Sequence, residues 1–185
     1  AVLLVELSKP SNRGRIPSQW LAQVANLILD VMRYDKAREA RVASGLSDSM
    51  DDLVTVAPNQ QQPIRIRALV NLISHGGQTD WYEPAIAALE RELNCIDLGG
   101  ASYAALGETC GQLLSYAPQW MRENVARYFG SESHSTSGQQ VAVAQAVALH
   151  YYHPELYRLL SGPMIAILRE SSVVATRVFD EFSVK

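Results

Sequence analysis

The sequence contains few residues of the kinds that usually identify a chemistry. Its 185 residues include two cysteines and four histidines, and only three of its sixteen cationic side chains are lysines. Two cysteines cannot build a disulfide scaffold. No stretch approaches the ~18 consecutive apolar residues of a membrane span, so no membrane association is expected. A net charge of −3 excludes a globally basic, histone-like binder.

Motifs that carry catalysis or cofactor binding are also missing. The chain contains no G-x-G-x-x-G, G-x-S-x-G or H-E-x-x-H pattern. No lysine occurs between Lys36 and Lys185, which excludes a phosphate-binding loop with its lysine from that stretch. We therefore expect no cofactor and no catalytic residues. An enzyme that uses the region of His150 and His153 ranks third among the functional hypotheses.

Two further features come closest to a reactive or metal site. His150 and His153 are three residues apart, a spacing that can face one ion, but two imidazoles do not complete a zinc site. No metal is therefore expected, and these histidines are only weak candidates. Cys110 falls on the apolar face of its segment without a basic neighbour, so it is expected to be a buried structural thiol.

The composition is that of a folded domain. Apolar residues make up 48% of the chain and charged residues 19%, and the length suits a single domain over residues 1–185. The first residues lack the basic leader and the small-residue cleavage site of a secretory signal, so a cytoplasmic location is the default expectation.

Prolines mark the starts of helices along most of the chain. Proline is tolerated in the first turn of a helix, where its missing N–H has no partner. Five of the eight prolines stand directly before segments with helical apolar spacing: Pro17, Pro63, Pro84, Pro118 and Pro154. Strand signals are scarce, and the run of residues 2–5 fits a strand or a helix. The sequence therefore predicts an all-α fold of about eight helices.

The helical segments divide the chain into three regions. Residues 17–43 are expected to form an N-terminal amphipathic and basic helix, 44–62 a polar linker, and 63–182 a region of helical pairs. In the first helix, Trp20 fits the face that is expected to enter the core. The residues 141–149 are apolar nearly all round, which predicts burial. Gly162-Pro163 is expected to break or kink the helix that Pro154 starts.

An internal period appears within the region of helical pairs. The successive helix openings at Pro63, Ala101, Gly138 and Ser171 are 38, 37 and 33 residues apart, close to the period of helical-hairpin repeats. Residues 63–72, with Arg65 and Arg67 before a stripe of small residues and leucines, resemble the first helix of a HEAT or armadillo-type repeat. The resemblance covers about residues 63–182 and implies stacked antiparallel helical pairs. An irregular helical bundle remains the alternative.

Charge is distributed unevenly along the chain. Residues 1–67 carry a net charge of +2 and residues 68–185 a net charge of −5. Arg predominates among the cations, and its planar fork suits carboxylate or phosphate. The candidate binding residues are the basic side chains of the first third: Arg13, Arg15, Arg33, Lys36, Arg38, Arg41, Arg65 and Arg67.

Two functions fit this imbalance. The first is a non-enzymatic protein-interaction or assembly module that binds a partner protein, or a second copy, through a helical surface. The alternative is a nucleic-acid-associated or nucleocapsid-type helical protein that uses the basic N-terminal third, with Trp20 or Tyr34 available to stack on bases.

Overall fold

The computed structural model of the chain describes residues 2–33, 61–94, 100–129, 142–144, 146–147 and 154–170. These residues are helical apart from short connections, and they include no β-strand. The α-helices are α1 (Val2–Ser8), α2 (Ser18–Arg33), α3 (Gln61–Ile73), α4 (Tyr82–Leu93), α5 (Gly100–Tyr116), α6 (Pro118–Phe129) and α7 (Pro154–Glu170), with one 3₁₀ turn at Pro10–Asn12. The expectation of an all-α fold is confirmed, and the run of residues 2–5 belongs to a helix.

The prolines lie where the sequence predicts them. Pro118 and Pro154 are the first residues of α6 and α7, Pro17 directly precedes α2, and Pro63 and Pro84 lie in the first turns of α3 and α4. Helix α3 is followed by a turn in which Gly76 adopts a φ of +95°, a value that glycine reaches without steric cost. Local sequence chemistry therefore sets the beginnings of these helices.

The core is centred on α3 and α5, which pack against each other most extensively. Ile66, Leu69 and Ile73 of α3 and Leu106 and Leu113 of α5 are fully buried. Helix α4 packs on α3 and α6 on α5, while α7 contacts α5 and α6. Helices α1 and α2 contact each other and both pack on α3. The helical residues 142–144 and 146–147 are buried as expected, against Gly107 of α5.

One local expectation is wrong, and another is wrong in part. Trp20 is 57% exposed, although it was expected to enter the core. The apolar positions of α2 cover about 200° of the helix circumference, and the part that α1, α3 and α4 cover is centred on Leu21, Ala25 and Ile28. Of the break or kink expected at Gly162-Pro163, the break does not occur, since α7 runs through Pro163 without interruption, and the kink stays a prediction.

Several expectations fall outside the residues that the structure describes. They are the continuation of the first helix to residue 43, the polar linker up to residue 60, and the end of the helical-pair region beyond residue 170. Within the described ranges, no helix combines the length and the apolar character needed to cross a lipid bilayer.

Candidate functional site

Two of the candidate arginines are held inside the fold. Arg65 is 8% exposed and forms an ion pair with Glu92 of α4, while its Nε and Nη2 atoms contact the sulfur and the carbonyl oxygen of Met32 at 3.0 and 3.2 Å. Arg67 pairs with Glu108 of α5 and donates from Nε at 2.8 Å. These arginines join helices to one another, so they do not lie on a common exposed basic surface with Arg13 and Arg15.

The remaining candidates divide into exposed and undescribed residues. Arg33, at the end of α2, is exposed and lies 3.4 Å from Asp30, one turn earlier. Lys36, Arg38, Arg41, His150 and His153 lie outside the described residues. The structure therefore does not test the binding role of these basic residues or metal binding by the two histidines, and both stay predictions.

Arg13 and Arg15 flank a tight turn that precedes α2. Arg13 has φ −60° and ψ 124°, Gly14 has φ +82°, and the Arg15 N–H donates to the carbonyl oxygen of Asn12 at 2.9 Å. These values define a type II β-turn, whose third position requires positive φ and therefore favours glycine. Both arginines are exposed. Neither forms an ion pair with a carboxylate among the described residues.

Hydrogen bonds fix this turn to the body of the protein. The Asn12 side-chain amide donates to the carbonyl oxygen of Glu6 in α1 at 2.7 Å. Helix α1 is in turn held by α3, where Asn71 donates to the carbonyl oxygen of Val5 at 3.2 Å. The ring Nε2–H of His75 donates to the carbonyl oxygen of Ser8 at 2.9 Å. The backbone that carries the two arginines is thus tied through α1 to the central helix.

A cavity of about 470 Å³ lies beside the turn. Its walls include both guanidinium-bearing residues and the apolar or aromatic side chains of Ile16, Leu21, His75 and Trp81. The indole N–H of Trp81 donates to the carbonyl oxygen of Leu72 at 3.3 Å, and the His75 ring meets the indole edge-on at 6.1 Å between centroids. Because these ring N–H groups already have acceptors, the two rings present mainly apolar surface to the cavity. Ser18 and Thr79 add polar lining, and Arg13 and Arg15 supply charged donors that no carboxylate among the described residues pairs with.

A row of exposed apolar side chains follows the cavity along α2. Trp20, Leu27 and Val31 are 57%, 52% and 45% exposed, and Val24 between them is half-buried. The spacing of these four residues is four, three and four, which places them on one side of the helix. We call them the α2 ridge. Apolar side chains aligned on an exposed surface are typical of interaction sites.

Other reactive groups in the described part of the chain show no activation. Cys110 is fully buried, and desolvation raises the pKa of its thiol from 9.0 to about 12, so it is a thiol at neutral pH, in agreement with the structural role expected for it. Burial also raises the pKa of Tyr128, whose hydroxyl donates to the side-chain oxygen of Asn94 at 3.1 Å. Among the described side chains, no cluster of three or more potential metal ligands occurs.

The structure adds two features that sequence reasoning missed. The α2 ridge was missed because the apolar arc of α2 is continuous, and the width of that arc was the available signal. The cavity was missed because Trp81 and His75 are more than 60 residues from Arg13 in sequence. The N-R-G-R sequence at residues 12–15 was its only local sign, since asparagine and glycine favour a turn.

Comparison with known proteins provides no assignment. No family model, no curated protein and no solved structure matches the chain.

Proposed function

We propose that this chain is a non-enzymatic protein-interaction module that binds a partner protein through the α2 ridge. The observation that carries the proposal is the alignment of three large apolar side chains, each about half exposed, on one side of α2. Leaving this surface in water costs about 25 cal/mol per Å² relative to burying it. A partner that covers the ridge recovers that free energy.

The spacing of the ridge favours a helix as the occupant. Apolar residues that alternate steps of three and four form the seam of a coiled coil, where they insert between the side chains of a facing helix. From Trp20 to Val31 the ridge is ~16 Å long, about three helical turns. The partner therefore presents an amphipathic helix of at least that length.

Charge complementarity predicts that the partner helix is acidic at one end. Arg13 and Arg15 lie just before α2, on the side of Trp20, and no acid among the described residues neutralises them. At the opposite end of the ridge, Arg33 is neutralised by Asp30. An amphipathic helix with carboxylates near the Trp20 end matches both the apolar and the electrostatic pattern.

The repeat layout is part of the same proposal. Side-chain contacts from α4 to α6 and from α6 to α7 join residues about one period apart: Glu90 and Trp120 are 30 residues apart, Asn94 and Arg127 33, and Arg122 and Glu155 33. Similar separations are expected when equivalent helices of successive pairs stack. They support the HEAT or armadillo-type arrangement over residues 63–182, with α1 and α2 packed on its first pair.

Site-specific photo-cross-linking tests the ridge as a binding surface. A benzoylphenylalanine is placed at Leu27, or as a control at Ile165 of α7, whose exposure of 48% is close to the 52% of Leu27. In the cells that produce the protein, we expect a discrete cross-linked partner from position 27 and not from position 165. Its cross-linked peptide should be an acidic, amphipathic helix.

A substitution within the α2 ridge checks that the cross-linked product from position 27 depends on this surface. Val31→Asp places a charge on the exposed ridge, so it should reduce the cross-link from position 27 several-fold while changing the free energy of unfolding by no more than about 0.5 kcal/mol. Equal labelling at both positions contradicts the proposal. So does a cross-linked dimer of this chain, or a cross-link to nucleic acid.

A further inference from the structure

We propose that the cavity beside the Arg13–Arg15 turn is a carboxylate-binding site that takes an acidic residue together with an adjoining apolar side chain. The proposal rests on the proposed function, because it assigns the acidic end of the partner segment to this cavity. It names the class of ligand: a peptide carboxylate next to an aromatic or aliphatic group.

The two arginines supply the recognition of the carboxylate. Both line the cavity, and neither is paired with an acid in the described part of the chain. A guanidinium group offers parallel N–H donors whose spacing matches the two oxygens of a carboxylate. Arginine side chains that flank one cavity therefore favour an anionic group in it.

The geometry of the turn preorganises the backbone that carries the two arginines. Positive φ at Gly14 and the hydrogen bonds to Asn12 fix the backbone on both sides of the turn. The chain that carries Arg13 and Arg15 is thereby tied to α1, and α1 is tied to Asn71 of α3 and to His75 just after it. A preorganised backbone lowers the entropy lost on binding, which increases the affinity for a small ligand.

The remaining walls select an apolar neighbour of the carboxylate. Ile16, Leu21 and the indole of Trp81 line the same cavity, and the Trp81 N–H is already bonded to Leu72. The cavity of about 470 Å³ falls within the ~300–1,000 Å³ usual for ligand sites. A hydrated inorganic anion would leave these apolar walls uncovered, whereas a peptide with an aromatic or aliphatic side chain covers them.

The site fits a protein segment better than a nucleic acid. A nucleic-acid backbone needs a series of free cations to follow its phosphates. The other arginines of the described N-terminal third are engaged, Arg33 by Asp30, Arg65 by Glu92 and Arg67 by Glu108. Two arginines at one cavity, with no acid partner in the described part of the chain, suit a single carboxylate or a short acidic cluster.

Titration with a dipeptide tests the cavity without the unidentified partner. The probe is N-acetyl-glutamyl-phenylalaninamide, and its neutral isostere N-acetyl-glutaminyl-phenylalaninamide is the control. Binding to the full chain is followed by NMR at the indole N–H of Trp81 and the amide of Gly14. We expect saturable shifts at these two positions, and about tenfold weaker binding of the glutamine isostere, since it lacks the charge-assisted hydrogen bonds.

Variants identify the residues responsible. The double substitution Arg13→Gln/Arg15→Gln should lower the affinity for the glutamyl probe by at least about tenfold. Arg158→Gln, which removes an exposed cation of α7 outside the cavity, should leave its affinity unchanged. All six substituted positions are exposed: Arg13, Arg15 and Arg158 here, and Leu27, Val31 and Ile165 in the cross-linking experiment. Unchanged far-UV circular dichroism will verify that each variant is folded.

Three results would overturn the inference. They are the absence of shifts at Trp81, equal binding of the glutamyl and glutaminyl probes, and equal or tighter binding of inorganic phosphate. The last result would indicate a phosphate site. The dipeptide does not reach Leu27, so the two experiments test different claims. If the dipeptide does not bind but position 27 still cross-links to a partner, only the carboxylate site is rejected. If position 27 gives no cross-linked partner, the proposed function is rejected.

Discussion

At the scale of single residues, burial decides what each ionisable or reactive group can do. Cys110 is enclosed by the core and its thiol pKa is raised to about 12, because the charged thiolate would lose its hydration. Arg13 and Arg15 are exposed and lack an acid partner among the described residues, so they remain available to a ligand. The same residue types would behave differently at other positions, and the sequence alone does not report these surroundings.

The raised pKa of Cys110 predicts slow alkylation and a specific pH dependence. Iodoacetamide should label Cys110 slowly in the folded chain at about pH 8 and rapidly in concentrated urea, as followed by mass spectrometry of its peptide. The unfolded thiol ionises near pH 9 and the folded thiol near 12. The contribution of the Cys110 thiol to the free energy of unfolding is therefore complete below about pH 9. It falls as the pH rises, by up to ~1.4 kcal/mol per pH unit.

The control for this pH dependence is Cys110→Ala. Its free energy of unfolding should fall less steeply than that of the wild type between about pH 9 and 10, because the variant lacks the thiol. Equal slopes for the two proteins, or rapid labelling of the folded chain, would show that Cys110 is not enclosed as described.

At the scale of helices, close packing depends on single small residues. Gly107 lies in α5 where the buried helical residues 142–144 and 146–147 pack against it. A Cβ atom at this position would be 2.7 Å from the carbonyl oxygen of Val143 and 2.9 Å from the Cβ of Ala146. Backbone and Cβ atoms cannot move aside as flexible side-chain ends do. The glycine therefore sets the distance at which the two helices pack.

Gly107→Ala should destabilise the protein although alanine is the better helix former. The steric conflict costs about 1–3 kcal/mol, which exceeds the ~1 kcal/mol gained in helix propensity. Urea unfolding measures the difference. Gly162→Ala in α7 is the matched control, since its Cβ would meet no atom within 4 Å.

The control has two small opposing contributions. Alanine favours the helix at position 162, while the following Pro163 disfavours a helical conformation for any residue with a Cβ. The stability of Gly162→Ala should therefore change by less than about 1 kcal/mol. Equal effects of the two substitutions would contradict the close packing at Gly107.

At the scale of the whole molecule, two arginines connect separate helices, Arg65 buried and Arg67 partly buried. Arg65 joins α3 to Glu92 in α4 and to the end of α2 at Met32, and Arg67 joins α3 to Glu108 in α5. Ion pairs of this kind are costly to desolvate, so they depend on both partners being present. The exposed pair of Arg122 and Glu155 joins α6 to α7 with much less burial.

These two classes of ion pair should respond differently to substitution. Glu92→Gln removes the carboxylate that forms an ion pair with the buried Arg65 and should cost about 3–5 kcal/mol. Glu155→Gln in the exposed pair should cost no more than about 1 kcal/mol. Urea unfolding measures both values, and the double substitution Arg65→Met with Glu92→Leu should cost less than Glu92→Gln. If Glu92→Gln and Glu155→Gln cost the same, Arg65 does not have the connecting role assigned to it.

Most of the fold follows from local signals in the sequence. Prolines at positions 17, 63, 84, 118 and 154 mark helix beginnings because they restrict φ and need no hydrogen-bond partner there. The buried residues of α3 and α5 recur with helical periodicity. These effects act within one or two helical turns, so the sequence by itself determined the all-α class and the approximate helix starts.

The candidate site depended on contacts that only the tertiary structure contains. Arg65 and Arg67 differ from Arg13 and Arg15 because their acid partners lie 27 and 41 residues further along the chain. Likewise, the exposed side of α2 follows from where α1, α3 and α4 cover it. Local periodicity identifies an apolar arc, but the arrangement of neighbouring helices decides which part of that arc is buried and which part is free to bind.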